Sequence, residues 1–207
     1  MAQNSEEPMA RQTYMRHRQT VVFTVIGAVL AVALFISCLF VFHVGGLGVS
    51  KTSATLPNYG QQVPCVSPAA DGSKPKYMEN KAVSVEVLNG TQFTGFAQAV
   101  GQALENREFV VKNIGNYSGG SQERTQIKFG RNAIPEAYTL ASNFTDAQLV
   151  MDDRQDKLID VVLGDTFKDL RDEADVPKTG KEIPNIEGCL AVDQLKNVPK
   201  APEHDAA

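Results

Sequence analysis

Tryptophan is absent from this 207-residue chain, and histidine and cysteine occur three times each. Each scarcity removes a chemistry. His17 precedes a long apolar run, His43 lies at its end and His204 sits near the C-terminus. None falls in the stretch patterned like a fold, so the commonest general base and metal ligand is missing there. Cys38 lies within the apolar run, while Cys65 and Cys189 flank the patterned stretch. No zinc site and no Cys-His or Ser-His pair can be assembled from these positions. A positive charge excess is lacking too. Residues 45–207 carry 17 Lys and Arg against 22 Asp and Glu, a net charge of -5. That balance argues against nucleic acid as a partner and offers no basic patch for anionic lipid. The expectation is a chain that is not an enzyme and holds no cofactor and no metal.

What is present begins with 24 uncharged, mostly apolar residues, Val21 to Val44. At about 1.5 Å per residue such a helix spans roughly 36 Å, enough to cross a hydrocarbon core of about 30 Å with some tilt. Arg11, Arg16 and Arg18 precede the run and only Lys51 follows closely, a bias that holds the N-terminal side in the cytoplasm. The expected layout is a cytoplasmic segment 1–20, a single transmembrane helix 21–44 and an extracytoplasmic remainder at the cell membrane. Two alternatives to an anchor fit less well. A cleaved signal needs a shorter apolar core and a small-residue cleavage site. A lipoprotein signal at Cys38 would place Phe35 at a poorly matching position and leave Leu39 to Val44 prolonging the run.

Residues 45–81, rich in Gly, Ser, Thr and Pro, read as a tether, and residues 176–207 as a tail without periodicity. Between them lies one domain, 82–175. Val83, Val85 and Val87 alternate with Ser84 and Glu86 as in a strand, and a helix over Thr94 to Asn106 follows with Phe96, Val100, Ala103 and Leu104 on one stripe. Phe109 and Val111 belong to a second strand, Ile127 and Phe129 to a third. Asn132 is placed to cap a second helix whose stripe is Ile134, Ala137, Tyr138, Ala141 and Phe144. Leu149 to Met151 and Leu158 to Leu163 complete a β-α-β-β-α-β-β order. The fold class is therefore α/β, an α+β two-layer sandwich with both helices on one face of the sheet. Glu86, Lys112, Lys128 and Asp160 fall opposite the apolar positions, so the other face is expected to meet water and to serve as a docking surface.

The strand ending Val87-Leu88-Asn89-Gly90, a glycine five positions on at Gly95, a helix, a Phe-Val-Val strand and a later Val-Val-Leu-Gly resemble the LytR C-terminal domain family over roughly residues 82–165. The single anchor, Pro64-Cys65 and Gly188-Cys189 make the chain similar to the stand-alone, membrane-anchored members in actinobacterial (mycobacterial and corynebacterial) envelopes. The resemblance implies a part in cell wall biogenesis and cell envelope integrity. The implied partner is an envelope protein such as a LytR-CpsA-Psr glycopolymer-peptidoglycan ligase, or an envelope glycopolymer. That ligase's own catalytic domain does not fit in this length. In an exported compartment Cys65 and Cys189 can form a disulfide around the domain, with free or intermolecular thiols as the alternative.

A second functional class rests on the strand-to-helix turn. Free N–H groups of Asn89, Gly90, Thr91 and Gly95 could hold a phosphate of a lipid-linked envelope precursor. The G-x-G-x-x-G order and the P-loop lysine are both lacking. Gly90 is expected to serve a positive-φ turn and Gly95 close helix packing. Asp152, Asp153 and Asp156 do not fit a calcium loop and are expected on a solvated surface.

Overall fold

A computed structural model describes residues 7–41, 56–68 and 72–202. The chain divides into two units, Met1–Thr52 and Ser53–Ala207. The first contains one helix, α1 (Glu7–Val41). Within it Gln19–Ser37 has a mean hydropathy of 2.6. A helix that is apolar all round over this length has the composition of a membrane anchor or a signal segment. Residues 42–44 of the expected span lie outside the described residues.

The second unit is a five-stranded sheet of β1 (Ser84–Asn89), β2 (Val110–Asn116), β3 (Thr125–Phe129), β4 (Ala147–Met151) and β5 (Ile159–Leu163). Their spatial order is β2-β1-β5-β3-β4. Strand β1 is parallel to β2 and β5, β3 is parallel to β4, and β3 runs antiparallel to β5. Two helices, α2 (Phe96–Asn106) and α3 (Ile134–Ala141), form the crossovers from β1 to β2 and from β3 to β4. Right-handed crossovers of two oppositely directed β-α-β units place both helices on the same side. The two-layer α/β fold follows.

Valines 83, 85 and 87, Ile127, Phe129, Ile159, Val161 and Leu163 are buried in one cluster with Val100 and Leu104 of α2 and Ala137, Tyr138 and Leu140 of α3. Gly101 lets α2 approach β2 closely, since a Cβ there would lie 2.6 Å from Ile114 Cδ1.

Three local expectations change. The ladder between β1 and β2 shifts register, Val85 opposing Val111 and Glu86 opposing Asn113, so Lys112 is the extra residue of a β-bulge. Alternation therefore restarts at Asn113, and Ile114 takes the position opposite Val87. Asn132 does not cap α3; it lies in a short 3-10 turn, Arg131–Ala133, and its side chain donates to the Gln155 carbonyl at 2.6 Å. Phe144 is buried beyond the end of α3 and bridges to Leu170.

The chain ends also join the fold. Val63 and Val66 from the expected tether and Ile183 from the expected tail lie in the same buried cluster. Cys65 N–H donates to the Leu190 carbonyl at 2.8 Å and Leu190 N–H to that of Val63 at 3.0 Å. Cys65 and Cys189 form a disulfide across a sequence separation of 124, with Cα atoms 5.0 Å apart. The resulting strap packs on α3, where Tyr138 Oη donates to the Pro64 carbonyl at 2.8 Å. Gly, Pro and Ser composition masked this layer because its backbone bonds need no periodic side-chain pattern.

Candidate functional site

Facing away from the helices, one row across the sheet reads Asn113, Glu86, Asp160, Lys128 and Val150. Glu86 accepts a hydrogen bond from Asn113 Nδ2 at 2.6 Å. Lys128 Nζ donates to Tyr117 Oη at 2.6 Å and stands 4.5 Å from that ring's centroid. Tyr117, whose N–H donates to the Asn89 carbonyl at the end of β1, thus reaches across this face to β3. Lys112 is exposed on its bulge at the sheet's edge. The three expected docking residues therefore divide into an edge charge, Lys112, and two in-sheet charges, Glu86 and Lys128, that already have local partners.

Two acidic residues expected in water are buried. Asp160 is 1% exposed and Asp152 2%. Arg154, from the loop between β4 and β5, donates to both carboxylates at 2.7 to 3.0 Å and to the Leu158 carbonyl at 3.1 Å. Burial alone lowers the Arg154 pKa, but hydrogen bonds and charge from Asp160 and Asp152 reverse this and hold it well above its ordinary value. Gly130 makes room for the arrangement, because a Cβ there would sit 2.1 Å from the Arg154 carbonyl oxygen. Charge periodicity marked Asp160 as outward-facing, which is correct, but could not reveal that a loop arginine folds over it. Among the described residues there is no group of three His, Cys, Asp or Glu placed to hold a metal.

The turn after β1 is closed on itself. Gly90 N–H donates to the Leu163 carbonyl at 3.1 Å, Thr91 N–H to Asn89 Oδ1 at 3.0 Å and Phe93 N–H to Thr91 Oγ1 at 3.1 Å. The Gly90 and Thr91 donors expected in a phosphate cradle are thus spent inside the protein. The roles of the two glycines are exchanged. Gly95 has φ +77° with open space around it, whereas a Cβ on Gly90 would lie 2.5 Å from the Leu163 carbonyl oxygen.

Two of the cavities with polar linings among the described residues bear on function. The larger, about 500 Å³, lies among Asn80, Arg107, Thr139, Asn143 and Lys178. Most of its polar groups bond one another: Arg107 donates to Asn143 Oδ1 at 3.0 Å and to the Arg171 carbonyl at 2.8 Å, and Asn80 donates to the Arg107 carbonyl at 2.8 Å. It is an open seam between α2, α3 and the tail. The smaller, about 260 Å³, lies on the open face and is lined by Tyr59, Gln122, Glu123, Arg124, Gln126 and Gln148. Tyr59 comes from the expected tether, so a search confined to the strand and helix pattern passes over it; the Pro57-Asn58-Tyr59-Gly60 turn is its signal in the sequence.

Residues 82–167 match the LytR_C family, described as LytR cell envelope-related transcriptional attenuator. No curated protein matches the chain. Among solved structures, the chain is similar to the soluble domain of a conserved hypothetical secreted protein from Mycobacterium marinum. Identity is 23%, the TM-score is 0.47, and the match covers 60% of this chain and 91% of that one.

Proposed function

With residues 82–167 a LytR_C domain, an envelope-related module, we propose that the chain is a membrane-anchored extracytoplasmic interaction protein that supports cell envelope integrity. Helix α1 is the single anchor, its N-terminus in the cytoplasm, and the domain works as an accessory to glycopolymer-peptidoglycan ligases. The observation that carries this reading is the Cys65–Cys189 disulfide behind an apolar helix long enough to cross a membrane. Disulfides persist in oxidising compartments outside the cytosol, and the two features together support a domain on the far side. The docking surface is the open face from the β2 edge across β1 to β3, where Lys112, Glu86 and Lys128 carry the charge.

In-cell crosslinking of the full-length protein, with a control truncated after Lys51, tests the reading. Recovery of a glycopolymer ligase or another envelope enzyme with the full chain alone is expected, and Glu86→Lys, Lys112→Glu or Lys128→Glu should abolish it while expression persists. If all three charge reversals leave the captured partners unchanged, the face is not the docking site. Labelling of the introduced cysteine in a Lys51→Cys variant by an impermeant maleimide fixes the topology independently.

A further inference from the structure

Asn58 and Tyr59 are adjacent non-glycine residues with left-handed backbone, φ +46° and +53°. Such conformations cost of order 1 kcal/mol or more each unless the surroundings hold them. Here the holding is visible. Asn58 Nδ2 donates to the Leu149 carbonyl and Leu149 N–H to Asn58 Oδ1, both at 2.8 Å, so this side chain pairs with the outer edge of β4. The turn thereby fixes the Tyr59 ring beside the open face, where the Arg124 guanidinium lies 3.9 Å from its centroid. Asp146 pairs with Arg124 from its own side.

Next to this stack, Gln126 on β3 and Gln148 on β4 are direct neighbours in the ladder. Gln148 Nε2 makes one long contact, 3.5 Å, to the Asn58 carbonyl, and the Gln126 side chain has no hydrogen-bond partner among the described residues. Two amides with unspent donors and acceptors thus stand on rigid strands beside an aromatic ring, in a cavity of about 260 Å³. Asp146 neutralises the arginine and Glu123 adds negative charge to the lining, which disfavours phosphates and other anions. The lining is too polar for an apolar peptide side chain. Alternating donors and acceptors beside a ring face match the hydroxyls and C–H face of a sugar ring.

We propose that the Tyr59, Arg124, Gln126 and Gln148 cavity binds a neutral saccharide, one ring of a larger glycan. The site uses none of the charged residues of the docking surface, so its failure and the failure of that reading are separable.

The test is titration of the full-length protein in nanodiscs with cellotetraose and with chitotetraose, read by calorimetry and saturation-transfer NMR, with empty nanodiscs as background. The two sugars distinguish a plain hydroxylated glycan from an N-acetylated one. Saturable binding of either is expected, weakened about fivefold by Gln126→Ala, the worth of one neutral hydrogen bond. Tyr59→Phe should retain binding and Tyr59→Ala lose it. Because Gln126 has no hydrogen-bond partner among the described residues, its replacement leaves the fold intact and the result interpretable. Glu86→Lys should leave the affinity unchanged. Absence of saturable binding by both sugars, equal binding by wild type and Gln126→Ala, or binding of inositol hexakisphosphate in their place overturns the proposal.

Discussion

The two faces of the sheet are closed by different physics. On the helix side, aliphatic and aromatic side chains of β1, β3 and β5 meet α2 and α3, and a disulfide-linked strap of both chain ends lies on α3. On the open side, β5 is equally buried, yet the closure at Asp160 is a loop arginine between two carboxylates. Apolar burial tolerates small changes, since dispersion and hydration scale with area. An ion triad does not, because removing one member leaves the others charged in a poor solvent. The open side should therefore fail more abruptly under single substitutions.

Arg154→Met applies the hardest test of that contrast. It strands Asp152 and Asp160, each about 1% exposed in the side chain, and should cost about 3–5 kcal/mol in urea unfolding. Replacing the triad together with Met, Leu and Leu should restore much of the loss. Equal stability of Arg154→Met and wild type would mean that the carboxylates find water or protons at little cost, and the contrast between the faces would dissolve.

On the helix side the matching probe is pH. Burial pushes the Tyr138 phenol up to about 12 from its ordinary value near 10, and its proton serves the hydrogen bond to the Pro64 carbonyl. A folded pKa above the unfolded one gives stability that is intact below pH 10 and lost as pH rises towards 12. Two pH units correspond to roughly 2–3 kcal/mol. Thermal melts between pH 9 and 12 should show this slope in wild type and a shallower one in Tyr138→Phe. Parallel profiles would place the strap's alkaline weakness elsewhere.

How much of each face was legible in the sequence follows from the same difference. Alternation at Val83, Val85 and Val87 and the stripe through Val100 and Leu104 disclosed the helix side, since apolar burial is written in periods of 2 and 3.6. The Lys112 bulge escaped because one extra residue inverts every later assignment while leaving composition untouched. The Arg154 triad escaped because a loop arginine reaches partners two and six residues away, one just past β4 and one on β5, with no fixed period. The sequence pattern marks both Gly90 and Gly95, but which one answers to a neighbour and which to its own φ depends on where Leu163 lies, a tertiary fact. The saccharide cavity was hidden for a further reason: Tyr59 belongs to a segment whose composition reads as linker.

The seam between the two sides is the β4 edge, where the strap begins. An exposed edge strand invites pairing with other chains, and here the Asn58 amide occupies the place of a sixth strand with its two bonds to Leu149. Asn58→Ala removes both bonds and leaves alanine in a left-handed conformation that asparagine tolerates better. The freed Leu149 groups can turn to water at the edge, so the loss should be modest, about 1–2 kcal/mol. Asn58→Gly, which relieves the backbone but not the lost bonds, should fall between wild type and Asn58→Ala. The sharper readout is amide exchange at Leu149, which should accelerate in both variants while Val161, deep in the shared core, keeps its protection. Acceleration at both amides would show that the edge turn holds the whole sheet together. Acceleration at Leu149 alone would make it a local clasp that positions Tyr59 without governing either face.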